Sequence, residues 1–200
     1  MAEPILYSFR RCPYAMRARM ALLVSETPFE LREVKLSAKP PQMLAASPKG
    51  TVPILILPGG EVIDQSLAIM RWALRRRDPE QWLDGDEEEE RELVATNDGA
   101  FKHHLDRYKY PDRYGADPAA HRAAGIALLA ALDDRLRCRA FLCGPTRKLA
   151  DAALMPFVRQ FAAVDRAWFA EQPLPGVHRW LGAIIGSPLF ERAMARSDAR

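Results

Sequence analysis

Long hydrophobic runs are missing from this 200-residue chain. No stretch approaches the roughly 18 consecutive apolar residues that a membrane span needs. The opening Met1-Ala2-Glu3-Pro4 lacks the basic region and apolar stretch of a secretory signal, so a cytoplasmic location is expected. Cysteine is scarce. Cys12, Cys138 and Cys143 are odd in number and stand at no metal-ligand spacing, which argues against a disulfide framework or a zinc site. Reduced thiols and no metal are therefore expected. There is no helix-turn-helix or zinc-finger pattern and no interleaving of basic and aromatic residues along one face, so no nucleic acid partner is expected.

What is present describes a soluble globular protein: 48% hydrophobic and 28% charged residues, enough chain for one large domain or two modest ones. The net charge of +3 hides a strong segregation. Residues 1–77 hold 12 Lys/Arg against 6 Asp/Glu, residues 78–92 one Arg against nine acids, and residues 93–200 16 against 11. The acidic block Asp84-Gly85-Asp86-Glu87-Glu88-Glu89-Glu90 follows the turn signal Asp78-Pro79 and opens a long helical stretch, where acids in the first turn complement the helix dipole. It marks a boundary.

Upstream, strand-like and helical patterns alternate: strands over 5–9, 29–36, 53–57 and 61–63, helices over 13–25, 41–46 and 66–76. Downstream only helices are expected, over 87–109, 118–137, 149–164, 176–186 and 188–196, with a frayed tail from Ser197. The domain division read from this is 1–77, a linker 78–86, and an all-helical 87–200.

Cys12 is the leading functional candidate. It ends Arg10-Arg11-Cys12 after a strand, and Pro13 suits the first position of the following helix, which leaves Cys12 at the N-cap. A thiolate there faces the positive end of the helix dipole, with Arg10, Arg11 and Arg17 adding positive charge. Gly50-Thr51-Val52-Pro53 heads the third strand. A cis Val52–Pro53 bond would turn the Val52 main chain outward to pair with another peptide, although most X–Pro bonds are trans. Asp64-Gln65-Ser66 opens the next helix, where Ser66 and neighbouring N–H groups suit a carboxylate, or simply cap the helix.

In this order and spacing, Cys12-Pro13-Tyr14, the segment from Lys39-Pro40 to Gly50-Thr51-Val52-Pro53, Gln65-Ser66 and Leu149-Ala150-Asp151 resemble the glutathione transferase superfamily over nearly the whole chain. Cys12-Pro13-Tyr14 looks like its cysteine-type branch, the omega-like transferases and two-domain glutaredoxins. The resemblance implies an α/β thioredoxin-like N-terminal domain followed by an all-α C-terminal helical domain. It implies glutathione as co-substrate, with Cys12 forming a mixed disulfide, Tyr14 beside it, and Lys39 near the glycine carboxylate. Val52 and Pro53 would meet the cysteinyl unit, and Gln65 with Ser66 the γ-glutamyl end. His104 and Tyr108 are candidates for an acceptor site.

The implied activity is thiol transfer: deglutathionylation or disulfide reduction. Conjugation of glutathione to small electrophiles, or a noncatalytic glutathione-binding module, stays open. So does a homodimer. Two departures from the family pattern stand out. Ala15 replaces the second thiol of dithiol glutaredoxins, and Lys148 stands where a Ser or Thr normally completes a capping box with Asp151.

Overall fold

The computed structural model describes residues 2–196, so the expected frayed tail lies outside the described residues. The chain forms two compact units, Met1–Leu83 together with Ser187–Arg200, and Asp84–Gly186.

The first unit is built on a four-stranded sheet in the order β2-β1-β3-β4. Its strands are β1 (Ile5–Ser8), β2 (Glu30–Glu33), β3 (Ile54–Ile56) and β4 (Val62–Ile63). β1 pairs parallel to β2 with Leu6 opposite Leu31, and antiparallel to β3 with Leu6 opposite Leu55; β3 and β4 form a hairpin. The sheet carries helices α1 (Pro13–Val24), α2 (Pro41–Ala46) and α3 (Ser66–Arg76). The middle strands are buried on both faces, so Leu6, Tyr7, Ile54 and Leu55 form a nearly continuous apolar row. β2 is half the expected length, because pairing with β1 stops at Glu33 opposite Ser8.

α1 is buried on more sides than the one apolar face that Met16, Met20, Leu23 and Val24 would make. Ten of its residues are buried, among them Arg17 and Arg19, while Leu23 is only half-buried. A helix buried all round needs cover on several sides. It packs against α3 and also against α11 (Pro188–Met194), the last helix of the chain. The expected division, which put 188–196 with the helical domain, differs here: α11 joins the first unit because α1 has an apolar flank to cover.

The second unit contains only helices among its described residues: α4 (Glu87–Thr96), α5 (Lys102–Lys109), α6 (Pro111–Tyr114), α7 (Pro118–Cys138), α8 (Leu149–Ala162), α9 (Arg166–Ala170) and α10 (Pro175–Ile185). A π-helical turn, Asn97–Phe101, separates α4 from α5 within what the periodicity reads as one helix. α8 is the core, buried over 11 residues. Its Asp151 accepts from the main-chain N–H groups of Lys148 at 2.8 Å and Leu142 at 2.9 Å and from Trp180 Nε1 at 2.8 Å. One half of the capping box is therefore made. For the other half, the Asp151 N–H donates to the Lys148 main-chain carbonyl at 3.1 Å, since an ammonium can only donate.

Candidate functional site

Cys12 is the N-cap of α1, with extended backbone and Pro13 at the first helical position. Its own N–H donates to Phe9 O at 2.9 Å and its carbonyl accepts from Met16 N at 3.0 Å. The turn is thus closed by main-chain bonds, and the side chain does no capping. The half-buried thiol instead donates to Val52 O at 3.7 Å. The Val52–Pro53 bond is cis. Two segments separated by 40 residues thereby meet at a sulfur. On one side Cys12 packs against the cluster of Tyr7, Ala15, Val34, Met43, Val52 and Ile54. Ala15, at the position of a second thiol, is fully buried.

The other sequence-derived candidates of this unit fall into one network and its margins. The Arg17 guanidinium lies 5.3 Å from the Tyr14 ring centroid and donates to Ser66 Oγ at 3.4 Å, linking both residues through a side chain that is itself fully buried. Gln65, not Ser66, is the N-cap of α3, and it is exposed. The first turn of α3 leaves main-chain N–H groups without intrahelical partners. Lys39 is exposed and lies against Gly50, which has a left-handed φ of 58°. A Cβ at Gly50 would come within 3.3 Å of Lys39 Nζ.

Two residues support this arrangement through contacts the sequence did not show: Asp64, read there only as part of the helix start, and Arg19. Asp64 accepts from Ser47 Oγ at 2.8 Å and Lys49 Nζ at 3.1 Å, tying the end of α2 to the start of α3. Those partners, Ser47 first, hold its carboxyl below the usual range. Arg19 lies buried on the Cys12 side of α1, two turns on. It donates to Ala193 O and Arg10 O, each at 2.7 Å, and to Ser8 Oγ. Burial pushes its pKa down to about 10, while Glu33 and Cys12 pull it upward. It is still a cation at neutral pH, and its charge acts on Cys12. The signal available in the sequence was a pair of arginines, Arg17 and Arg19, between Met16 and Met20 on an otherwise apolar helix.

His104 and Tyr108, the acceptor-site candidates, stand one turn apart on α5 in the second unit. Tyr108 is buried, with its ring 5.0 Å from that of Phe161, and burial raises its pKa. His104 packs with His103 and His121. Cys143, in the same unit, is an inert thiol: burial, then Asp151 and Glu89, push it up to about 12.

A parallel and antiparallel four-stranded sheet with a Cys-Pro helix start beside a cis-proline, and a separate helical unit, define the thioredoxin-like plus all-helical class. Models of "Glutathione S-transferase, N-terminal domain" and "Glutathione S-transferase, C-terminal domain" match residues 6–82 and 80–183. The chain belongs to the glutathione S-transferase family. It is 36% identical over 70 residues to pyrimidodiazepine synthase of Drosophila melanogaster, covering 34% of this chain and 29% of that protein. It is 28% identical over 214 residues to elongation factor 1-gamma 1 of Oryza sativa subsp. japonica, covering 95% of this chain and 48% of that one. The chain thus spans less than half the length of these relatives. Among solved structures it is similar to glutathione transferase Omega 3C from Trametes versicolor, with a TM-score of 0.80 at 22% identity over 99% of this chain and 91% of that one. No helix among the described residues is long and apolar enough to cross a membrane.

Proposed function

We propose that this protein catalyses glutathione-dependent thiol transfer through Cys12. The observation that carries the reading is the placement of a half-buried cysteine sulfur at the N-cap of α1, against Val52 O and within the field of the buried Arg19 cation. The helix N-terminus and the Arg19 charge favour the thiolate, which attacks and leaves well in disulfide exchange, while the bond to Val52 O holds the thiol form in the resting site.

The reaction runs in two displacements. The Cys12 thiolate attacks the glutathionyl sulfur of a mixed disulfide, forming Cys12–S–S–glutathione and releasing the other thiolate, which takes up a proton. A second glutathione thiolate then attacks the glutathionyl sulfur, giving oxidised glutathione and regenerating the Cys12 thiolate. Ala15 supplies no second thiol, so the resolving thiol comes from glutathione. Loss of the Cys12 proton also ends its bond to Val52 O, leaving that carbonyl and its N–H to meet the cysteinyl main chain of glutathione. Lys39 would take the glycine carboxylate, with Gln65, Ser66 and the open N–H groups of α3 taking the γ-glutamyl carboxylate. Tyr14 and Pro53 would wall the sulfur. His104 and Tyr108 as acceptor-site residues, a homodimer and a cytoplasmic location belong to the same proposal.

The test is turnover of a small glutathione mixed disulfide, followed by oxidised-glutathione formation, in the wild type and Cys12→Ser. Loss of at least a thousandfold in Cys12→Ser supports thiol transfer. Undiminished conjugation of an electrophile by Cys12→Ser, with no reductase activity in either protein, would sink it. A second reading, a noncatalytic glutathione-binding module, draws on the match along almost the whole chain to a protein named as an elongation factor and not as a transferase. It becomes the better one if glutathione binds and neither reaction is seen.

A further inference from the structure

Three of the four histidines of the chain, His103, His104 and His121, converge at one point of the second unit. His103 and His104 are on α5 and His121 is on α7, which packs against it. Their ring centroids form a nearly equilateral triangle with sides of 5.1, 5.1 and 5.6 Å. One nitrogen from each lies within 4.8 Å of the others. We propose that His103, His104 and His121 form a binding site for one first-row transition-metal dication of the zinc class, held through three neutral imidazole nitrogens.

Four observations carry this. The first is distance: with metal–nitrogen bonds of about 2.0–2.1 Å, tetrahedral ligands sit about 3.4 Å apart. That separation falls between the His104 Nδ1 to His121 Nδ1 contact of 2.8 Å and the outer limit of 4.8 Å, so small ring rotations suffice. The second is protonation: two ring nitrogens at 2.8 Å need one donor and one acceptor, so at least one ring is neutral and offers a lone pair.

The third concerns the nearby cations: the Arg122 guanidinium lies 4.3 Å from the Trp168 ring centroid and Lys102 is paired with Asp106, so the cation whose charge acts on His104 is Arg107, which stacks on Tyr114 and donates to the His103 main-chain carbonyl at 3.3 Å rather than to a ring nitrogen. The fourth is chemistry: the set holds nitrogen only, with no carboxylate or thiolate, which suits zinc, copper or nickel and not calcium or magnesium. Three protein ligands also leave a fourth position for water or an anion. The site stands independently of Cys12 and of the acceptor-site role proposed above for His104.

The experiment uses tag-free full-length protein and Zn(II) alone, followed by proton–nitrogen correlation of the imidazole rings. His178, whose Nε2 is 3.0 Å from Gln172 O in the same unit, is the internal control. The expected result is that three ring systems shift and saturate at one equivalent while His178 stays in place. Zn(II) affinity falls at least tenfold in His121→Gln and in His103→Gln, the latter at an exposed position that the fold does not need, and is kept when all three cysteines are Ser. If affinity disappears with the cysteines and survives His121→Gln, thiols hold the metal and the proposal is wrong. Unsaturated shifts of all four histidines, or no shift, overturn it equally.

Discussion

Arg19 gives the most exacting test of how the Cys12 end of the first unit is held. Its guanidinium, 2% exposed, spreads three donors over Ala193 O, Arg10 O and Ser8 Oγ. Each charge-assisted bond contributes roughly 1.5–3 kcal/mol. Arg19→Met removes all three and orphans the acceptors, but it also relieves several kcal/mol of guanidinium desolvation. The expected net loss is about 3 kcal/mol. Arg19→Lys keeps a buried charge and gives up the planar fork, so it is expected to be no better than Met. Urea unfolding read by hydrogen exchange of the β1 and α1 amides, resolved by peptide mass spectrometry, reports on this unit alone. With a slope of about 2 kcal/mol per molar urea, the midpoint falls by about 1.5 M in both variants. A Met variant within about 0.3 M of wild type, or a Lys variant that restores it, would refute the reasoning.

In the helical unit, a Cβ at Gly125 would collide with the Phe161 ring, coming 2.9 Å from Cζ. Gly125→Ala sets about 1–3 kcal/mol of overpacking against up to about 1 kcal/mol of helix propensity, so Tm should drop by about 4 °C, as calorimetry can show. Asp151→Asn turns an NH2 toward one of three main-chain or indole donors and should cost about 1–3 kcal/mol in chemical denaturation. Asp64 has a depressed pKa in the fold, so its contribution is complete above the unfolded value near 4 and is lost as pH falls through the folded one. The Tm difference between wild type and Asp64→Asn should be constant from pH 6 to 8, equivalent to about 0.5–1 kcal/mol, begin to shrink near pH 4 and vanish only below the depressed folded value.

The parts of this molecule that were legible in its sequence are those fixed by neighbours in the chain. Pro13 places Cys12 at a helix start, and the run of acids around Asp86 starts α4, whose first-turn N–H groups of Glu88 and Glu89 bond to Asp86. The meeting of Cys12 with Val52 followed from family resemblance and was not written in either segment. What stayed hidden depends on remote partners. A buried arginine reads as an exposed one until its acceptor 174 residues away is known. The affiliation of α11 likewise follows from the apolar flank of α1, not from its own pattern. The π turn leaves the apolar periodicity nearly intact, so 97–101 read as ordinary helix. His121 joins His103 and His104 only through packing of α7 on α5.

The return of α11 to the first unit has a temporal meaning during synthesis. The strands and helices of that unit are complete at Leu83, yet Ser187, where its remaining piece begins, emerges only after the 103 residues Asp84–Gly186. At about 5–20 residues per second this is a wait of roughly 5–20 s. Throughout that interval α1 is without α11, and Arg19 is without Ala193 as an acceptor. The nascent sheet domain therefore waits, incompletely covered, for a helix made after the whole second unit.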